Sequence, residues 1–147
     1  MTTIVYDHKN KLIACDSRLT QGSFIATDES YKYELKKDGL WFFCGNKGEQ
    51  DKFMQEFQLL SKASDNMNVT ALFVSDKNVY IRSIDNDFVF RECLVDFTDG
   101  IGSGCEHAIA ALDCGVDIIE AMNVAIKRDC YTGGKIHIYD IEKEKFI

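Results

Sequence analysis

An α+β fold, with two antiparallel sheets packed face to face and helices on their outer faces, is the architecture this sequence predicts. Three observations carry the prediction. The patterning reads as strands, one helix, strands, two helices and a strand. Strands therefore do not alternate with single crossover helices, which argues against a parallel doubly wound sheet. Leu40 to Cys44 is a continuous apolar run, as expected of a strand buried on both faces. The helical segments carry their apolar residues as stripes, which need one sheet face to cover them. At 147 residues the chain is expected to form one domain, residues 1–147, that buries roughly two-thirds of its unfolded surface.

In chain order, Thr3 to Asp7 reads as a strand, His8-Lys9-Asn10-Lys11 as a polar turn, and Leu12 to Asp16 as the returning strand of a hairpin. Ser17 to Gly22 reads as a loop, and Ser23 to Thr27 and Tyr31 to Lys36 as short strands. Asp38-Gly39 turns the chain into the apolar run. Gly45-Asn46-Lys47-Gly48 breaks that strand and opens a helix, in which Phe53, Met54, Phe57 and Leu60 keep helical spacing. Ser61 to Met67 reads as loop. Asn68 to Val74 and Val79 to Ile84 form a hairpin across Ser75-Asp76-Lys77-Asn78, and Phe88 to Leu94 is a further strand. Asp99 to Gly104 is a glycine-rich turn ahead of two helices, about Glu106 to Asp113 and Val116 to Arg128. The second carries Ile118, Ala121, Met122, Ala125 and Ile126 on one face. Thr132-Gly133-Gly134 ends it, and Lys135 to Ile141 closes as a strand.

Composition narrows the partners. The net charge is −7, with acidic and basic residues mixed along the chain. Nucleic-acid backbones and anionic membranes both require a basic face, so neither is an expected partner. No apolar run approaches the ~18 residues of a membrane span. The start lacks the pattern of an export leader, so the expected location is cytoplasmic. Six cysteines stand without a C-x-x-C pair and read as buried, reduced thiols. The three histidines add no ligand pair, so no side-chain metal site of the zinc type is expected, and no cofactor is expected.

A few residues invite a chemical reading. If Met1 is removed, Thr2 carries a hydroxyl and a free α-amino group on one residue, a nucleophile with its own base. The amine's ordinary pKa of about 7.7–8.0 leaves part of it neutral near pH 7. The structural alternative is a plain opening strand. Asp16 is either a strand-end carboxylate or part of a site. Lys32 stands between Tyr31 and Tyr33, where alternation also allows a solvated edge lysine. Gly102-Ser103-Gly104 is neither a nucleophile elbow nor a dinucleotide loop, and Ser103 could serve only to cap the next helix. Arg128-Asp129-Cys130-Tyr131-Thr132-Gly133-Gly134 could be only a helix end stopped by glycine. Cys105 with His107 is a poor thiol pair, since side chains two apart on a helix diverge.

Taken together these segments resemble the proteasome β-subunit family, and within it the HslV-type peptidases. Thr2-Thr3-Ile4-Val5 is similar to the family's N-terminal threonine stretch. Ala14-Cys15-Asp16 with Thr20-Gln21-Gly22 resembles its A-G-D…T-x-G segment. Lys32 falls at the family's lysine, and Phe43-Cys44-Gly45 at its strand–Gly–helix junction. Gly102-Ser103-Gly104 matches G-S-G. Arg128-Asp129-x-Tyr131-Thr132-Gly133-Gly134 resembles R-D-x-Y-S-G-G with Thr for Ser.

The resemblance implies an N-terminal nucleophile hydrolase fold, a four-layer αββα sandwich, and a threonine endopeptidase. Thr2 would be the nucleophile, Lys32 and the α-amine would manage its proton, and Asp16 would hold Lys32. Gly45 would donate its N–H to the oxyanion, and Ser103, Asp129 and Thr132 would complete the network. Thr20 and Gly22 would bind substrate backbone. The implied partners are a peptide or unfolded-protein substrate, copies of the same chain in stacked rings, and an ATP-dependent unfoldase. The chain departs from the family in three respects: a shorter middle segment, changed residues beside the site, and Met1, which stands ahead of Thr2 and is expected to be removed. Ser61 to Met67 is shorter than the family's helical excursion between subunits. Cys15 replaces a small residue. Asn46-Lys47-Gly48-Glu49 replaces a small-residue run and could reshape the specificity pocket. Two alternatives stay open: a non-catalytic scaffold subunit, and an N-terminal nucleophile amidase acting on a small molecule.

Overall fold

The computed structural model describes residues 2–147; Met1, and with it the expected processing of the chain start, lies outside the described residues. The elements run β1 (Ile4–Asp7), β2 (Leu12–Cys15), β3 (Leu19–Gln21), β4 (Phe24–Thr27), β5 (Tyr33–Leu35) and β6 (Leu40–Gly45). A 3₁₀ turn (Lys47–Glu49) leads into α1 (Gln50–Leu59), then β7 (Val69–Ser75), β8 (Asn78–Ile84), β9 (Phe90–Leu94) and β10 (Asp99–Ile101). The chain ends with α2 (Cys105–Asp113), α3 (Ile118–Arg128), β11 (His137–Asp140) and β12 (Lys145–Phe146).

One five-stranded sheet has the order β10-β1-β2-β11-β12 and the other β5-β6-β7-β8-β9, with β3 and β4 forming a separate pair. All pairings in these sheets are antiparallel. Strand alternation decides what faces what. Ile4, Tyr6, Ile13 and Cys15 of the first sheet meet Leu40, Phe42, Leu72 and Val74 of the second in the central core. From the back of the second sheet, Trp41, Phe43, Ala71 and Phe73 pack under Phe53 and Met54 of α1. From the back of the first, Val5 and Ala14 pack against Ala108 of α2 and Ile118, Ala121, Met122 and Ala125 of α3. The layers are therefore α, β, β, α, the predicted sandwich. The Leu40 to Cys44 run is explained by residues that alternate between two cores.

Local chemistry accounts for the joints. The β7–β8 turn places Asp76 and Lys77 at positive φ, 51° and 64°, the signature of the two-residue hairpin turn whose twist matches its strands. Asp117 caps α3, its side chain accepting the Glu120 N–H at 2.8 Å.

Several expectations need correction. Leu19–Gln21, read as loop, is a strand, because it finds a partner in β4. Asp99–Ile101, read as turn, pairs with β1, Val5 lying opposite Gly100. Leu60 is not on the inner helix face: it is the C-cap of α1 and exposed. The cysteines are all free, but only Cys15 is buried; Cys93, Cys114 and Cys130 are exposed on an edge strand and at helix ends. Among the described residues no helix is long and apolar enough to cross a membrane.

Candidate active site

Thr2 heads β1 in the first sheet and Lys32 precedes β5 in the second. Both are buried, 3% and 6% exposed. Lys32 Nζ donates to Thr2 Oγ1 at 2.7 Å and to the Arg18 carbonyl at 2.5 Å. The Lys32 carbonyl accepts the Phe43 N–H at 2.8 Å, which extends the β5–β6 pairing and fixes the lysine backbone. A lysine from one sheet thus reaches the threonine of the other. Burial pushes the Lys32 ammonium below the ordinary lysine value; the Asp16 charge opposes this and the Lys47 charge adds to it.

Asp16 follows β2 and is fully buried. It extends the β1–β2 ladder: its N–H donates to the Thr3 carbonyl at 3.2 Å, and its Oδ1 accepts the Thr3 N–H at 3.1 Å. Its Oδ2 accepts the N–H groups of Arg18, at 3.3 Å, and Gly133, at 3.1 Å. Burial holds this carboxyl above the usual carboxylate range, opposed by the Lys32 charge and the three amides. Asp16 therefore ties the start of β1, the loop after β2 and the segment after α3 into one body.

A second network lies behind Thr3. Asp129 Oδ2 accepts the hydroxyls of Ser103 at 2.5 Å and Thr132 at 2.6 Å, and its Oδ1 accepts the Tyr131 N–H at 3.2 Å. Burial acts to raise the Asp129 pKa, but these hydrogen bonds outweigh it and hold the carboxyl below its usual range. Thr3 Oγ1 lies 2.7 Å from Thr132 Oγ1. The Thr132 hydroxyl has one proton and spends it on Asp129, so Thr3 donates to Thr132.

The glycines flanking Ser103 have separate reasons. Gly102 has φ +96°, and a Cβ there would lie 2.0 Å from the Thr2 carbonyl oxygen. A Cβ on Gly104 would stand 2.1 Å from Thr3 Oγ1 and 2.9 Å from Thr132 Oγ1. Gly104→Ala is expected to break the Thr3–Thr132 bond and cost about 1–3 kcal/mol by overpacking, read as a lowered urea midpoint at unchanged slope. An unchanged midpoint would mean that the network gives way freely.

Gly45 ends β6 opposite Val69 with φ +104°, and a Cβ there would strike the Asn68 carbonyl at 2.1 Å. Thr20 lies opposite Ile25 in the β3–β4 pair, and Gly22, φ +58°, sits at its turn. That pair starts one residue after Arg18, whose carbonyl receives Lys32. The structure thus gathers Thr2, Asp16 and Lys32 by hydrogen bonds and charge, and Ser103, Asp129 and Thr132 into the adjoining network.

Sequence reasoning missed three participants. Thr3 links the two networks. Ser17, fully buried, donates to the Asp28 carbonyl at 2.7 Å and accepts the Lys135 N–H at 2.6 Å. Arg18 holds Asp28 through both carboxylate oxygens, at 2.8 and 3.1 Å, and donates to the carbonyls of Cys130 and Thr132. The available signal was the run Asp16-Ser17-Arg18, three polar residues directly after a buried strand. The cysteines offer no rival nucleophile here: burial pushes the Cys44 thiol up to about 11 and raises Cys105 and Cys15 too. A cavity of about 680 Å³ between the β5–β6 turn and α1, lined by Glu34, Asp38, Asp51 and Gln58 among others, shares no residue with either network.

The layers are ordered α, β, β, α, and a threonine lies at the head of a strand between the two sheets. Among solved structures the chain is similar to eukaryotic HslV from Trypanosoma brucei, with a TM-score of 0.70, 19% identity, and coverage of 93% of this chain and 97% of that one. That likeness establishes the fold. No family model matches the chain, and no curated protein matches it.

Proposed function

We propose that this protein is a threonine-type peptidase in which Thr2, exposed by removal of Met1, cleaves peptide bonds in peptides or unfolded protein. The observation that carries the reading is the buried 2.7 Å bond from Lys32 Nζ to Thr2 Oγ1. In that reading the α-amine of Thr2 takes the hydroxyl proton as Oγ bonds to the scissile carbonyl carbon. The Lys32 ammonium stabilises negative charge on Oγ, and the Gly45 N–H receives the carbonyl oxygen as it becomes an oxyanion. Such a donor is worth about 2.7–4 kcal/mol in serine peptidases. Collapse breaks the C–N bond, the α-ammonium returns its proton to the leaving amine, and the acyl group stays on Oγ as an ester. Water, deprotonated by the same amine, then hydrolyses that ester.

Asp16 keeps Lys32 charged against the cost of burial, and Ser103, Asp129 and Thr132 hold the chain segments behind the amine. Thr20 and Gly22 are assigned to substrate backbone, which would add a strand to the sheet edge. The chain acts as one domain, and the same family resemblance supports stacked rings of identical subunits, an ATP-dependent unfoldase partner and a cytoplasmic setting.

The test is turnover of unstructured peptides by protein whose intact mass reports loss of Met1. Activity in protein that retains Met1 would end the reading, because the Thr2 nitrogen would then be an amide. No turnover with a fully folded, Met-free chain would favour a scaffold subunit. The pH profile of kcat/KM is expected to be bell-shaped. Its acid limb reports the amine, whose ordinary value is about 7.7–8.0. Its alkaline limb reports Lys32 and falls below the ordinary lysine value of about 10.4, because burial lowers that group.

A further inference from the structure

The turn after β6 carries a lysine that the proposed reaction does not use. Lys47 lies two residues beyond Gly45, in the exposed 3₁₀ turn, yet its ammonium bends inward and donates to Ser30 Oγ at 2.7 Å. Ser30 is buried, 5% exposed, and stands two residues before Lys32. Its own N–H donates to the Ser17 carbonyl at 2.9 Å, so the hydroxyl that receives Lys47 is part of the site's fixed floor. The Lys47 charge is felt at Lys32, where it opposes protonation.

Lys47 also lacks a countercharge, as several other lysines of the chain do. Among the described residues it forms no ion pair, whereas Arg18 has Asp28, Lys36 has Glu34 and Arg82 has Glu92. The chain holds 24 acidic residues against 17 basic ones, so carboxylates to neutralise a surface lysine are in surplus. The nearest acidic neighbour in sequence, Glu49, turns instead to the Asn68 N–H at 3.4 Å. An ammonium tethered by one hydroxyl keeps two donors for another acceptor.

We infer that Lys47, seated on Ser30, selects substrates with a carboxylate side chain on the residue that supplies the scissile carbonyl. This rests on the peptidase reading. With that carbonyl carbon at Thr2 Oγ and its oxygen at the Gly45 N–H, the side chain of the same residue is the substrate group nearest the turn that carries Lys47. A carboxylate there meets an unpaired ammonium beside a buried floor, where screening is weaker than on the open surface. A lysine side chain meets like charge and is rejected. The attraction is local, since the net charge of −7 repels acidic peptides at long range.

The test uses the full, Met-free chain and four fluorogenic peptides that differ only in the acyl-side residue: Glu, Gln, Leu or Lys. The readout is the ratio of kcat/KM between peptides within each enzyme, which is indifferent to any general loss of activity. The expected preference for Glu over Lys is about tenfold or more, falling as salt screens the pair. In Lys47→Ala the ratio collapses towards one, in Lys47→Glu it inverts, and Lys47→Arg restores it. A ratio blind to the charge at position 47, in enzyme whose turnover depends on Thr2, overturns this inference and leaves the peptidase reading intact. Failure to cleave any of the peptides, together with no covalent capture of Thr2 by an electrophilic acylating probe, overturns both.

Discussion

Thr2→Ala is expected to lower peptide turnover by roughly four orders of magnitude or more while leaving the fold in place. Removing the nucleophile of a group that acts as a unit costs about as much as removing the whole group. The fold should survive because alanine keeps the β1 backbone, and the hydrogen bonds to Asp16 and Thr132 come from Thr3, not Thr2. Lys32→Ala should be nearly as severe, since it removes the cation 2.7 Å from the attacking oxygen. Stopped-assay kinetics with far-ultraviolet circular dichroism as the fold control would check both. Undiminished turnover in Thr2→Ala would move the nucleophile elsewhere and sink the proposal.

The largest stability effect is expected at Asp16. Replacing it by alanine strands the N–H groups of Thr3, Arg18 and Gly133 and removes the countercharge that supports Lys32. Each buried donor left unsatisfied costs about 1–3 kcal/mol. The pH dependence has a definite sign. The Asp16 pKa is raised in the fold, so its contribution is fully present below its unfolded pKa and is lost as pH rises through the folded one. The variant also leaves Lys32 with a pKa lower still, so it regains stability as that lysine sheds its proton. Both effects shrink the deficit as pH climbs. Urea unfolding of both proteins at about pH 5 and about pH 9 should show the larger gap at the lower pH. A gap that widens with pH would show Asp16 acting mainly as an ionised partner whose pairing outweighs its burial.

Patterns that depend on near neighbours were the ones that could be read directly. The stripe Ile118, Ala121, Met122, Ala125 announces a helix with one covered face, and four of the residues expected there are buried. The apolar run through Trp41 and Phe42 announces a strand between two cores. β10 was hidden because its glycine looks like turn chemistry. Gly100 is small for another reason: a Cβ there would lie 2.6 Å from the Ile4 carbonyl and 3.0 Å from the Cys105 Cβ. Lys32 was ambiguous for the opposite reason. Its tyrosine neighbours suggested an edge strand, and Tyr31 is indeed 64% exposed, but the lysine turns inwards to Thr2.

By itself the sequence determined the layers, because burial of apolar faces leaves a period of two or 3.6 that survives in a linear string. The tertiary structure alone decided which polar groups meet. Thr2 with Lys32, Asp16 with Gly133, and Thr3 with Thr132 are directional bonds between segments far apart in the chain, and such bonds leave no period to read. They exist because two sheets, each specified by its apolar residues, are stacked so that the head of β1 faces the entry to β5.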